Sequence, residues 1–233
     1  MLKVENISTG YGKKQVLFDI SFEVNKGDII LLAGSNGSGK STLLKAIYGL
    51  LPIWNEGQIY FEDENITGKS SSTLLKKGLL YIPQKNNLFE DLTVKENLEM
   101  AGLTLNKKVL KERIEYVLSV FPTLKEFLNR APMKMSGGER QLLTLAMAML
   151  HKPKMILLDE PLTGLSSHNI DFVIENLLVL KEKKDITLVV VEHRVKECLK
   201  VANRIFGLKL GKMFCEEKMN DKFEIIDLTE LFV

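Results

Sequence analysis

Residues 29–42 read IILLAGSNGSGKST, and this stretch decides the fold of the chain. The five apolar residues at its start predict a buried strand, and the spacing of Leu43, Leu44 and Ile47 predicts a helix directly after a glycine-rich turn. The turn matches the Gly-x-x-x-x-Gly-Lys-Ser phosphate loop, whose glycines allow main-chain N–H groups to line an anion-binding concavity. The sequence therefore predicts a nucleoside triphosphate site.

Two side chains of this loop carry the expected chemistry. Lys40 supplies a positive charge for the outer phosphates, and the Ser41 hydroxyl can ligate Mg²⁺. A glycine-rich turn that only caps a helix is the alternative, and the strand before it and the helix after it favour the phosphate loop. The residues of the loop predicted to bind nucleotide are Gly34, Ser35, Asn36, Gly37, Ser38, Gly39, Lys40, Ser41 and Thr42.

The composition indicates an ordinary globular protein. With 233 residues, the chain is long enough for one large domain or for a domain with an inserted subdomain. Its net charge of +2 comes from interleaved acidic and basic residues, so no clustered basic face predicts a nucleic-acid partner.

The cysteines and the hydropathy of the chain indicate where in the cell it is expected. The spacing of Cys198 and Cys215 suits no metal site, so we expect free thiols in a reducing compartment. No secretory signal pattern is present, and the apolar runs fall short of the roughly 20 residues that a membrane span needs. We therefore expect a soluble, cytoplasmic chain that meets a membrane only through a partner.

Periodicity along the chain predicts an α/β fold. Up to about Asp28 the pattern predicts strands, with Val16, Phe18, Ile20, Phe22 and Val24 alternating with their neighbours. Apolar runs at 79–82, 155–158 and 186–191 predict buried parallel strands joined by crossover helices. After Arg204 we expect a hairpin that turns at Gly211, then a short amphipathic stretch.

The segment 85–151 has helical periodicity and no strand pattern, with Pro122 ending one helix and a second helix expected over 136–150. We predict a single domain in which 1–84 and 152–233 form a nucleotide-binding core with a mainly parallel sheet and an antiparallel β subdomain. The segment 85–151 is then an inserted helical subdomain.

A second part of the site is predicted at residues 155–160, MILLDE, where an apolar strand ends in Asp159 and Glu160. Ligands bind at this carboxyl edge of an open α/β sheet. Adjacent carboxylates repel each other unless a cation lies beside them, and Mg²⁺ would be that cation. Asp159 would hold the ion through water, and Glu160 would orient the attacking water. Because proline disfavours helical geometry in the residue before it, Pro161 is expected to keep the Glu160 backbone extended. A strand that merely ends in acids at the surface is the alternative.

A third motif, residues 135–141 (MSGGERQ), predicts a helix whose N-cap is Ser136. Gly137 and Gly138 leave the first N–H groups of that helix open to an anion. The alternative is a plain cap followed by permissive glycines without a ligand.

Five motifs follow one another in a fixed order: GSNGSGKS at 34–41, YIPQ at 81–84, MSGGERQ at 135–141, ILLDE at 156–160 and VVVEH at 189–193. In this order and spacing, the chain resembles the ATP-binding-cassette ATPases over nearly its whole length. The resemblance implies a P-loop ATPase that uses ATP and Mg²⁺ and pairs head to tail with a second cassette. It also implies transmembrane permease subunits at the cytoplasmic face of the cell membrane, and for an importer a solute-binding protein.

The resemblance assigns further roles. Tyr11 would stack on adenine with Val16 beside it, and Gln84 would ligate Mg²⁺ together with Ser41 and Asp159. As plainer alternatives, Tyr11 is a surface aromatic and Gln84 a turn residue.

The resemblance also identifies the catalytic groups and the contact with the second cassette. Glu160 would be the catalytic base, and His193 would contact it and the γ-phosphate. As the plainer alternative, His193 is a solvent-facing strand end, but its place after the strand 186–191 favours the site. The motif Ser136, Gly137, Gly138 and Glu139 would complete the nucleotide site of the second cassette.

Departures from the family pattern indicate which group within the family the chain resembles. Met135 and Glu139 stand where leucine and glutamine are commonest, and Ser166 stands where many members have an interface aspartate. MSGGERQ, DLTVKENL at 91–98 and the Ser166 loop resemble the ATPases of branched-chain amino acid and related amide importers, and next those of lipopolysaccharide export. The rival functions are a cassette that acts on ribosomes or DNA and a nucleotide sensor without catalysis.

Overall fold

In a computed structural model, which describes residues 1–184 and 186–218, the chain forms ten strands in two sheets. The strands are β1 Leu2–Tyr11, β2 Lys14–Val24, β3 Ile29–Ala33, β4 Gln58–Phe61, β5 Glu64–Asn65, β6 Leu79–Ile82, β7 Met155–Asp159, β8 Thr187–Val191, β9 Arg204–Lys209 and β10 Lys212–Lys218. The helices are α1 Lys40–Ile47, α2 Ser71–Lys77, α3 Val94–Ala101, α4 Lys107–Val120, α5 Gly137–Met149, α6 Ser167–Lys184 and α7 Val195–Cys198, with 3₁₀ turns at Pro122–Phe127 and Pro132–Lys134.

The larger sheet has the strand order β10-β9-β3-β8-β7-β6. Its strands are parallel except β10, which pairs antiparallel with β9. The three apolar runs predicted as buried parallel strands are confirmed as β6, β7 and β8, and every residue of β3, β7 and β8 is buried. Strands covered on both faces need apolar side chains at each position, which explains their continuous apolar runs. The carboxyl ends of β3, β8 and β7 lie side by side at one edge.

The smaller sheet is antiparallel, with the order β2-β1-β4-β5. The predicted alternation in β2 holds for Ile20, Phe22 and Val24, which are buried, but it is wrong nearer the start of the strand. There Leu17 is fully buried and Val16 is only half-buried. The cause is an irregularity in the pairing with β1, where Ile7 faces Ile20 but Thr9 faces Leu17, and such a bulge shifts the two-residue period.

Between residues 85 and 151 the chain contains helices and turns. The helix α4 ends at Val120, just before Pro122, and α5 covers the predicted second helix with Ser136 as its N-cap. The side chain of Asn106 caps α4, so the helix begins at Lys107. The assignment of this segment to a separate subdomain stays a prediction.

The core lies on both faces of the larger sheet. Alternate residues of β3 point in opposite directions: Ile29 and Leu31 join a cluster with α3 to α6, and Ile30 and Leu32 join one with α1, α2 and the smaller sheet. The strand and the loop after it are therefore fixed from both sides.

The predicted hairpin after Arg204 is confirmed as β9 and β10, which turn at Leu210 and Gly211. The amphipathic stretch predicted beyond it lies outside the described residues. Among the helices that the structure describes, none combines the length and apolar character needed to span a bilayer.

Candidate nucleotide site

The predicted phosphate loop lies between β3 and α1, at the carboxyl edge of the larger sheet. The Lys40 side chain is buried, and its Nζ donates hydrogen bonds to the carbonyl oxygens of Gly34, at 2.8 Å, and Ser35, at 2.9 Å. Burial lowers the pKa of Lys40, whereas the nearby Glu160 and Asp159 act to raise it. The ammonium group is thus held across the loop, close to the two predicted acids.

Two positions of the loop require glycine. A Cβ at Gly34 would lie 2.2 Å from the Leu208 carbonyl oxygen, which belongs to β9. Gly39 has a φ of +107°, and a Cβ there would lie 2.6 Å from the Leu17 side chain and 3.5 Å from that of Val16. Val16 therefore lies beside the phosphate loop.

The turn between β9 and β10 holds the loop from outside. The Gly211 N–H donates to the Ser38 carbonyl oxygen at 2.9 Å, and the Gly211 carbonyl accepts from the Phe18 N–H at 2.9 Å. Gly211 has a φ of +76°, and a Cβ there would lie 1.9 Å from the Val16 carbonyl oxygen. The sequence predicted Gly211 only as a turn residue, and nothing local signals its contact with Ser38.

We expect Gly211→Ala to weaken ATP binding by at least about tenfold, since the turn must move and Ser38 loses its main-chain donor. Gly68→Ala is the matched control: Gly68 has a similar φ of +68°, but a Cβ there would meet nothing within 4 Å. Both variants bear the roughly 1–2 kcal/mol cost of a left-handed alanine. Nucleotide titration and thermal unfolding of both variants measure the difference, and equal affinities would contradict the role of the turn.

The Asp159 carboxylate joins the loop to the neighbouring strands. Ser41 Oγ donates to Asp159 Oδ1 at 2.8 Å, and the Tyr81 hydroxyl donates to Oδ2 at 2.9 Å. Burial and the negative charge of Asp159 raise the pKa of Tyr81, so its hydroxyl remains a donor. Tyr81 lies in the YIPQ motif, but the sequence predicted no role for it. Its position in β6, next to β7, is the signal that could have identified it.

Three side chains surround the Glu160 carboxylate. Oε2 accepts hydrogen bonds from Gln84 Nε2 and, at 2.9 Å, from the Thr163 hydroxyl, and Oε1 lies 3.1 Å from His193 Nε2. The structure thus brings the predicted base, Glu160, into contact with His193, the residue expected to touch it. The contact of Thr163 with Glu160 was not predicted from the sequence.

The backbone of Glu160 differs from the prediction. Its φ is +49°, in the left-handed region, so the expectation of an extended residue before Pro161 is wrong. Proline disfavours the right-handed helical region for the preceding residue, but the chain turns sharply here. The Glu160 N–H donates to the Val191 carbonyl at 2.9 Å, and the Glu160 carbonyl accepts from Thr163 N–H at 3.3 Å. Such a backbone is costly for glutamate and is found where surrounding contacts enforce it.

The residues predicted to hold Mg²⁺ fit that ion in chemistry. Ser41 and Asp159 are in direct contact, and Gln84, which offers an amide oxygen, instead contacts Glu160. In the described part of the chain, no group of three or more His, Cys, Asp or Glu side chains could form a metal cage. Mg²⁺ is usually held by one or two carboxylates together with substrate phosphates, and this donor set agrees with that pattern.

Tyr11 ends β1 with 46% of its surface exposed, and its hydroxyl lies 3.5 Å from Thr42 Oγ1. Its hydroxyl therefore lies beside the end of the phosphate loop that enters α1, and its ring is partly exposed.

The motif at the start of α5 forms a capping box. The Glu139 carboxylate accepts from Ser136 N–H at 2.7 Å, and Ser136 Oγ accepts from Glu139 N–H at 3.3 Å. A Cβ at Gly137 would lie 2.5 Å from Leu165, and one at Gly138 would lie 3.0 Å from Asn169. Close packing therefore supplies a reason for both glycines besides an open anion site. Within the described residues, no hydrogen bond joins this motif to the phosphate loop.

The ABC transporter family model matches residues 17–163, a span that includes the phosphate loop, the capping-box motif and Glu160. The chain belongs to this family. The ABC cassette is 40% identical over 213 residues to the high-affinity branched-chain amino acid transport ATP-binding protein BraG of Pseudomonas aeruginosa, covering 91% of each chain. It is 36% identical over 224 residues to the probable branched-chain amino acid transport ATP-binding protein LivF of Archaeoglobus fulgidus, covering 96% of this chain and 94% of the relative.

Solved structures agree with the fold of the cassette. An ATP-binding cassette of an ABC transporter in its ADP conformation superposes with a TM-score of 0.90 at 28% identity, covering 99% of this chain and 96% of that one. A dimeric cassette in a post-hydrolysis state, bound to ADP and phosphate, gives a TM-score of 0.80 at 28% identity, covering 94% and 99%. The cassette is thus an ATP-binding subunit of an ABC transporter, with the P-loop α/β fold expected from the sequence.

Proposed function

We propose that the cassette binds ATP with Mg²⁺ and hydrolyses it to drive import of branched-chain amino acids, or a related small solute, through separate transmembrane subunits. The observation that carries the proposal is the arrangement of Glu160, which contacts Gln84 and His193 and follows the Ser41-bound Asp159 directly. A general base held in this way, beside a phosphate loop, is what hydrolysis of a bound triphosphate requires.

Each part of the site takes a separate task. The main-chain N–H groups of residues 34–42 and the Lys40 ammonium bind the phosphates. Ser41, Asp159 and the Gln84 amide oxygen hold Mg²⁺, which when bound neutralises charge on the phosphates. Glu160 orients a water and accepts its proton, and His193, at Glu160 Oε1, keeps the carboxylate turned toward the site. Tyr11 stacks on the base, next to Val16.

A second cassette completes the site. The N–H groups at the start of α5 and the Ser136 hydroxyl hydrogen are free to face an anion, since the capping box uses Ser136 Oγ only as an acceptor. Residues 136–139 then contact the γ-phosphate on the opposing cassette, as the resemblance implies. A similar cassette that is dimeric with ADP and phosphate bound supports pairing with a second cassette.

The link to the membrane begins at Gln84. Its side chain contacts Glu160, and the chain continues from it into the helical segment 85–151, which we take as a subdomain. A change at Glu160 on hydrolysis would therefore move the start of this segment. Permease subunits at the cytoplasmic face of the membrane, with a solute-binding protein, would receive that motion.

Reconstitution tests the function directly. Reconstituted with its permease subunits and a solute-binding protein, the cassette should drive ATP-dependent leucine uptake into proteoliposomes, and each component should stimulate the ATPase. Glu160→Gln in the same vesicles is the control and should abolish uptake. Stimulation by ribosomes or nucleic acid instead, or transport of a lipid outward, would contradict the proposal.

A further inference from the structure

Glu192, which follows β8, is a buried acidic residue that forms no salt bridge with the residues that the structure describes. Only 1% of its surface is exposed. Its Oε1 accepts a hydrogen bond from the Leu162 N–H, and its Oε2 accepts from the N–H groups of His193, at 2.9 Å, and Arg194, at 3.4 Å. Burial raises the pKa of the Glu192 carboxyl, and the three main-chain donors oppose that rise.

These donors come from two different loops. Leu162 lies two residues after Glu160, in the loop that follows β7, and His193 and Arg194 lie in the loop that follows β8. The strands themselves are adjacent, with Asp159 paired to Val191. One carboxylate therefore connects the loop of the proposed base to the loop of the histidine that contacts it.

We propose that Glu192 is a positioning residue, which fixes the contact between Glu160 and His193 by binding the main chain of both loops. The proposal rests on the proposed hydrolysis at Glu160. Glu192 does not itself reach the reacting atoms, because both of its oxygens are buried and bound to main-chain N–H groups. Removal of either anchor leaves the corresponding loop free to shift, and a displacement of about 1 Å at a catalytic group can cost on the order of a hundredfold in rate.

Glu192→Gln tests the proposal with little change of volume. An amide accepts through one oxygen only, so one of the two loops meets an NH₂ group in place of an acceptor. We expect kcat for ATP hydrolysis to fall roughly ten- to hundredfold. The KM for ATP should stay within about twofold, since Glu192 makes no hydrogen bond to residues 34–42 among those described.

Asp28→Asn is the matched control. Asp28 is also buried, at 7% exposed, and accepts a main-chain N–H from Asn25 at 2.9 Å. It also pairs with Arg204, and it lies at the end of β3 away from the phosphate loop. Its amide variant should lower the thermal midpoint and leave kcat unchanged. An equal fall of kcat in both variants would show that loss of a buried carboxylate is a general structural defect, which would overturn the proposal.

A double-mutant cycle separates positioning from a structural role. If Glu192 acts through the histidine, then Glu192→Gln should add little to the rate loss of His193→Ala, whereas independent effects multiply. The proposal would be overturned if the rate losses of the two single variants multiply in the double variant, or if kcat is unchanged in Glu192→Gln. ATP hydrolysis by the wild type would still support the proposed function in either case. If Glu192→Gln does not fold, Glu192→Asp gives the same reading: the shorter carboxylate cannot span both loops, so kcat falls and KM does not.

Discussion

Glu160→Gln is expected to slow ATP hydrolysis by roughly two to four orders of magnitude, with ATP binding retained. The amide can still contact Gln84, Thr163 and His193, but it cannot accept the proton of an attacking water. The phosphate loop stays unchanged, because Lys40 and Ser41 make no hydrogen bond to Glu160 in the described structure. Single-turnover phosphate release and equilibrium nucleotide binding measure the two effects separately.

Glu23→Gln is the control for this variant, since Glu23 is a surface acid on the smaller sheet, with 64% of its side chain exposed. It should hydrolyse ATP at the wild-type rate. If the cassette pairs as proposed, Glu160→Gln should also form dimers that require ATP, as light scattering can detect. Turnover of Glu160→Gln near the wild-type rate would remove Glu160 from the role of base.

The sequence was most informative where a motif and its secondary structure depend on each other. The phosphate loop needs a strand before it and a helix after it, and the continuous apolar run of β3 and the helical spacing in α1 were both visible. Likewise, the acids that end β7 could be placed at the sheet edge, because parallel strands share the edge where ligands bind.

What the sequence did not predict are contacts made across strands or between distant loops. Tyr81 reaches Asp159 only because β6 lies beside β7, and Gly211 reaches Ser38 only because the β9–β10 turn folds over the phosphate loop. The bulge in β2 and the left-handed backbone of Glu160 have the same origin. Each of these features is imposed by residues far away in sequence, and local sequence patterns do not reveal contacts with distant residues.

The capping-box motif shows the limit of reading glycines from sequence. Two glycines at a helix start suggested room for an anion, but in the structure Gly137 and Gly138 also pack against Leu165 and Asn169. Both demands are compatible, since the packed face of α5 and its N–H groups point in different directions. A glycine alone does not distinguish them, so the contact with a second cassette depends on the resemblance.

Lys40→Ala is expected to weaken ATP binding by at least about a hundredfold. The ammonium is buried, where a charge acts on a phosphate in a lower effective dielectric than at the surface, and one lost contact of this kind exceeds about 2.7 kcal/mol. The control is Lys45→Ala, a change of the same type in the last turn of the same helix, where the side chain is only half-buried. It should bind ATP as the wild type does.

Thermal unfolding gives the clearest measurement of the Lys40 variant, because a ligand stabilises the folded state in proportion to the logarithm of its concentration over its Kd. At an ATP concentration of about 1,000 Kd the wild type gains about 4.1 kcal/mol, and a hundredfold weaker site gains only about 1.4 kcal/mol. The rise in unfolding temperature on adding ATP should therefore shrink to about a third in Lys40→Ala and stay complete in Lys45→Ala. An undiminished rise in Lys40→Ala would mean that ATP does not bind at residues 34–42, and the roles given to Ser41, Asp159 and Glu160 would lose their basis with it.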